Sequence, residues 1–83
     1  MSVIGIVGLG TMGLGIAQVF AAAGYKVLAT DAVDAARATA ATRLRTALEP
    51  RVAKGALSQD ALEATLNNLH IVPTPQDLSP AAL

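Results

Sequence analysis

A doubly wound α/β arrangement is the fold class this 83-residue sequence predicts, with a parallel sheet whose first three strands take the spatial order 3-2-1. Three observations carry that expectation. A β-branched run at residues 3–7 enters a glycine-rich turn at residues 8–13. A helix-patterned stretch then leads to a second apolar run closed by Asp31. A long alanine-rich helical region separates that acid from a third short strand near residue 70. Strand, helix and strand within about thirty residues make a βαβ unit, whose crossover is expected to be right-handed.

Val3-Ile4-Gly5-Ile6-Val7 is apolar at every position and ends at glycine, so it reads as a strand buried on both faces. Thr11 to Ala23 carries Met12, Ile16, Val19, Phe20 and Ala23 at helical spacing, and Gly24 supplies the left-handed stop. Residues 25–30, Tyr-Lys-Val-Leu-Ala-Thr, form the next strand.

Almost forty residues, more than one crossover helix needs, separate Asp31 from the third strand. Ala36, Ala40, Leu44, Ala47, Leu48 and Val52 form one stripe that continues across Pro50. A proline within a helix removes a hydrogen bond and clashes with the preceding turn, which predicts a kink or break near Thr46–Pro50. Gly55 ends this segment. Ser58 is a good N-cap for another helix, Asp60 suits its first turn, and Leu57 can staple onto Leu62. Leu62, Leu66 and Leu69 make its buried stripe, so a helical hairpin lies between the second and third strands. The third strand, Leu69–Val72, stops at Pro73, and residues 74–83 begin a turn or a one-turn helix.

Composition narrows the partners. Lys plus Arg equals Asp plus Glu, six each, so no overall field draws nucleic acid, anionic lipid or an acidic protein. Arg37, Arg43, Arg45 and Arg51 cluster between residues 37 and 51, a pattern read as the solvated face of an alanine-rich helix. Without cysteine there is no disulfide, thiolate chemistry or Cys-type zinc site, and no metal site is expected. The first 25 residues carry no charge, yet no basic region precedes Val3 as a secretory signal requires. Six glycines between Gly5 and Gly24 also suit a turn better than a membrane span. The expectation is a cytoplasmic protein. A hydrophobic fraction of 53% with few aromatics predicts a thin core and leftover apolar surface, which should meet more chain or another subunit.

Gly8-Leu9-Gly10-Thr11-Met12-Gly13 is a G-x-G-x-x-G that follows a strand, opens a helix and precedes an acid by about twenty residues, the context that gives the pattern meaning. Gly8 allows the tight turn, Gly10 lets a pyrophosphate approach the backbone, and Gly13 lets the helix pack closely. Free N–H groups near Thr11 and Met12 face the phosphates with the positive end of the helix dipole behind them. Asp31 can accept hydrogen bonds from the adenosine ribose hydroxyls and would repel a 2′-phosphate, which favours NAD over NADP. Arg37 lies too far along the next helix to serve as a counter-ion. The candidate dinucleotide contacts are thus Gly8, Leu9, Gly10, Thr11, Met12, Gly13 and Asp31. The alternative is a strand–helix turn that binds nothing, with Asp31 as an ordinary cap.

The run Gly8–Gln18, G-L-G-T-M-G-L-G-I-A-Q, resembles the N-terminal segment of the L-3-hydroxyacyl-CoA dehydrogenases, which include 3-hydroxybutyryl-CoA dehydrogenases. The resemblance continues through Ala21-Ala22-Ala23-Gly24-Tyr25, Asp31 and Lys54-Gly55-Ala56-Leu57-Ser58. The 3-hydroxyisobutyrate and 6-phosphogluconate dehydrogenase families share G-L-G-x-M-G but fit Gly15–Gln18 and the hairpin less well. The resemblance implies that residues 1–83 are the N-terminal part of an NAD-binding Rossmann domain, an incomplete one lacking the C-terminal substrate and dimerisation domain. It implies hydride transfer between NAD and an L-3-hydroxyacyl-CoA, giving a 3-ketoacyl-CoA, in a homo-oligomer of fatty acid metabolism. The family's catalytic His/Glu pair would lie beyond residue 83, so this segment alone is expected to be inactive. His70 is read as a structural or exposed histidine. Lys54 occupies a hairpin position where the family can contact CoA phosphates, although Pro50 departs from the family's uninterrupted helix and a lysine there also suits the helix dipole. A non-catalytic nucleotide-binding or regulatory module is the alternative. The first strand, left at an edge, is expected to pair with further chain or another copy.

Overall fold

The computed structural model describes residues 3–78. In order, it contains β1 (Val3–Val7), α1 (Thr11–Ala22), β2 (Lys26–Thr30), α2 (Asp34–Ala53), α3 (Gln59–Asn67), β3 (Leu69–Ile71) and a 3-10 turn (Pro75–Leu78). The remainder of the expected C-terminal turn, residues 79–83, lies outside the described residues.

All three strands are parallel and adjacent in the order β1-β2-β3, which is the expected 3-2-1 series read from the other side. The register pairs Ile4 with Val27, Val7 with Thr30, and Val27 with Leu69. Ile4, Ile6, Val27, Ala29 and Leu69 join one buried cluster with Leu14, Ala17 and Ala21 of α1, Ala40, Leu44 and Leu48 of α2, and Leu62 of α3. Alternation along β2 leaves Leu28 and Thr30 on the opposite face, where both are also buried. The 3-10 turn returns against β1 and β2.

The packed face of α1 is not the large-residue stripe that its sequence suggests. Leu14, Ala17 and Ala21 are buried, while Met12 is 81% and Val19 66% exposed. The helix has almost no polar positions, so apolar spacing alone does not choose a face. Small residues win the sheet side because they let α1 come close to β1 and β2. Phe20 still packs partly onto the core and meets Tyr25 edge-on, with ring centroids 5.7 Å apart.

The break expected at Pro50 does not occur, since α2 runs unbroken for 20 residues with Pro50 inside it. The carbonyl deprived of a partner is that of Thr46, and both Thr46 and Pro50 are exposed, so water can satisfy it. Buried Leu48 and half-buried Val52 hold the helix on either side, and Lys54 N–H closes its C-terminal end on the Pro50 carbonyl at 3.1 Å. The hairpin otherwise follows expectation. Ser58 Oγ accepts from Ala61 N–H at 3.0 Å, and Leu57 and Leu62 both join the core. Arg45 of α2 donates twice to Glu63 of α3, at 3.0 and 3.1 Å, and bridges the two helices. Among the described residues, no helix is long and apolar enough to cross a membrane.

Candidate nucleotide site

The site forms where β1 and β2 end together. Gly8 N–H donates to the Thr30 carbonyl at 2.8 Å, one step beyond the β1–β2 ladder, and the chain then turns sharply. Gly8 has φ +103°, a conformation that a residue with a Cβ rarely adopts. Gly13 is required for a different reason. A Cβ there would lie 1.9 Å from the Gly8 carbonyl oxygen and 2.9 Å from its carbon, so the first turn of α1 is pressed onto the backbone of the turn.

Gly10 needs neither allowance. Its φ is −68° and ψ −176°, and a Cβ built there meets nothing within 4 Å. Nothing in the chain itself demands glycine at this position, so the space beside it is free for something outside the chain. Gly10 is also the N-cap of α1, with no side-chain cap and no acid in the first turn. The leading N–H groups, those of Thr11 and Met12 among them, therefore keep their donors for an anion. Thr11 and Met12 are both exposed, and the turn borders an open recess of about 530 Å³ that extends to Val7 and Ile16.

Asp31 points at this turn. Its Oδ2 accepts from Leu9 N–H at 2.7 Å and its Oδ1 from Val33 N–H at 2.8 Å. These two amides, Leu9 first, hold its carboxyl below its ordinary value of 3.8, with Arg37 and Arg43 adding to the effect against partial desolvation. A carboxylate offers about four acceptor positions, so two amides leave roughly two for a vicinal diol such as a ribose. The same negative charge disfavours a phosphate on the 2′-hydroxyl.

Leu9, one of the candidate dinucleotide contacts, faces inward. Its side chain is fully buried, its N–H is taken by Asp31, and its carbonyl accepts from Arg43 Nη2 at 2.8 Å. The arginine cluster likewise differs from a plain solvated face. Arg37 folds back onto the Asp31 carbonyl and pairs with Asp34, Arg43 reaches the turn, and Arg45 bridges the hairpin. Arg37 thus lies close to Asp31 after all, engaged with protein groups. Nothing in the sequence pattern announces the Arg43 contact, which spans 34 positions; only its spacing of four from Thr39 hints at a fixed side chain.

The remaining candidates stand apart from the turn. Lys54 is the exposed C-cap of α2, at the opposite end of a helix about 30 Å long from Asp34. His70 is exposed on β3, opposite Leu28.

The chain is similar to known proteins in both sequence and fold. Residues 3–83 match the family model described as "3-hydroxyacyl-CoA dehydrogenase, NAD binding domain". A 3-hydroxyadipyl-CoA dehydrogenase of Escherichia coli K12 is 38% identical over 66 residues, which is 80% of this chain and 14% of that protein. Among solved structures, a 3-hydroxybutyryl-CoA dehydrogenase from Escherichia coli K12 superposes with a TM-score of 0.90 at 35% identity, covering 96% of this chain and 17% of that one. An (S)-3-hydroxybutyryl-CoA dehydrogenase from Ralstonia eutropha gives a TM-score of 0.90 at 31% identity, covering 98% of this chain and 29% of that one. The chain therefore spans less than a third of the length of each of these relatives.

Proposed function

The chain belongs to the NAD-binding domain family of the 3-hydroxyacyl-CoA dehydrogenases, and from that premise we propose that it forms the adenosine and diphosphate half of the site in an enzyme that oxidises an L-3-hydroxyacyl-CoA. The open space beside Gly10, with Asp31 directed at the same turn, is the observation that carries this reading. Those residues fit the dinucleotide. Amides at the start of α1 bind the diphosphate without a competing acid in the first turn, and the anchored Asp31 carboxylate takes the adenosine ribose.

When bound, NAD supplies the hydride acceptor for the alcohol carbon. The chain's own residues bind and orient the cofactor, and the groups that hold and move the alcohol proton are assigned to the remainder of the enzyme. Lys54, exposed at the hairpin tip, is assigned to a phosphate of the CoA substrate. Among the described residues the outer edge of β1 is unpaired, and exposed Met12 and Ile16 border the recess beside Val7, which supports further strands or another subunit packing there. Self-association and a cytoplasmic location belong to the same reading.

Calorimetric titration with NADH and NADPH tests it. Saturable binding of NADH, weaker binding of NADPH, and a narrowed gap in Asp31→Ala are expected. Equal affinity for both cofactors in the unmodified protein, or no binding of either, would overturn it.

A further inference from the structure

The peptide between Leu9 and Gly10 lies at the centre of the turn. Its carbonyl, on Leu9, accepts from Arg43 Nη2 at 2.8 Å. Its N–H, on Gly10, donates to no protein acceptor among the described residues. A trans peptide is planar, so its C=O and N–H point in opposite directions. Whatever fixes the Leu9 carbonyl therefore also aims the Gly10 amide.

We propose that Arg43 is a positioning residue for the nucleotide diphosphate: by holding the Leu9 carbonyl towards α2, it turns the Gly10 N–H the opposite way, away from α2, where a diphosphate can accept it.

The guanidinium is built to hold that place. Its Nε donates to Thr39 Oγ1 at 3.1 Å, and Thr39 in turn donates to the Ala35 carbonyl at 2.7 Å. Nη2 also reaches the Ala36 carbonyl at 3.1 Å. The side chain is thus tied to its own helix at two points before it crosses to the turn. From the other side, Asp31 accepts the Leu9 N–H at 2.7 Å, and the Leu9 side chain is fully buried in the core. Arg43 and Asp31 grip Leu9 by its two opposite backbone groups. The hairpin helix is thereby coupled to the diphosphate turn, although Arg43 itself need touch no ligand.

This inference rests on the nucleotide reading above, and the test separates the two. Affinities for ADP-ribose and for adenosine are measured by calorimetry in the unmodified protein, Arg43→Gln and Arg43→Lys. Losing one aimed amide is expected to weaken ADP-ribose about tenfold in Arg43→Gln. Adenosine, which lacks the diphosphate, should lose little, so the ratio of the two affinities falls. Arg43→Lys, able to donate to the Leu9 carbonyl, should recover part of the loss.

An unchanged ratio in Arg43→Gln, or no recovery in Arg43→Lys, overturns the role of Arg43 while leaving the nucleotide site intact. Failure of the unmodified protein to bind ADP-ribose overturns both. If Arg43→Gln does not fold, Thr39→Val loosens the guanidinium without removing it. It should lower the same ratio in the same direction, and an unchanged ratio there counts against the proposal.

Discussion

Two glycines on one helix make opposite demands, and replacing each with alanine separates close packing from helix propensity. Gly13 and Gly15 both lie within α1. In Gly13→Ala, the new Cβ would sit 1.9 Å from the Gly8 carbonyl oxygen, against backbone that cannot swing aside. Overpacking of this kind costs about 3 kcal/mol, the upper part of the usual range, because α1 must move off the turn to relieve it. Alanine returns about 1 kcal/mol of helix propensity, for a net loss of about 2 kcal/mol. In Gly15→Ala the Cβ meets nothing within 4 Å. Only the propensity gain remains, so this variant should be stabilised by up to about 1 kcal/mol. Urea denaturation followed by circular dichroism measures both against the unmodified protein. The two variants should bracket it, separated by roughly 3 kcal/mol. Gly13→Ala as stable as the parent would refute the claim that α1 is pressed onto the turn.

Asp31→Asn removes one of two acceptor oxygens, and the loss should depend on pH. Because the folded carboxyl lies below its ordinary 3.8, the parent's stability advantage is complete above the unfolded value and disappears as pH falls through the folded one. Denaturation curves of the pair between pH 2 and 7 should converge at the acid end, and a constant gap would contradict the assignment. Thr30 Oγ1 is buried without a hydrogen-bond partner among the described residues, so Thr30→Val should be stabilising by about 1 kcal/mol in the same assay. Ser58→Ala deletes the cap that accepts from Ala61 N–H and should cost about 1 kcal/mol, with faster amide exchange confined to the start of α3.

Much of the fold is legible in the sequence because its signals are local. β1, the turn and α1 follow from β-branching, glycine placement and helical spacing within residues 3–24. The Ser58 cap and the hairpin likewise depend on neighbours a few positions apart. The misread parts depend on distant contacts. Which face of α1 packs is decided by the approach of Gly13 to Gly8 and by small Ala17 and Ala21, since apolar residues occur all round that helix. Pro50 is carried through by core contacts of Leu48 and Val52. At the site, the glycine pattern and Asp31 were readable from their spacing. The inward role of Leu9 was not, because it is set by Asp31, 22 positions away, and Arg43, 34 positions away. The Asn68 side chain, which donates to the Ala21 carbonyl at 2.9 Å and closes the end of α1, spans 47 positions and left no local trace.

A crystal structure of the protein with NADH bears most directly on the site. The diphosphate oxygens should lie within about 3 Å of the N–H groups of Gly10, Thr11 or Met12, with the adenosine ribose hydroxyls on Asp31. A cofactor bound with its diphosphate away from those amides, or with Asp31 turned from the sugar, would contradict the assignment.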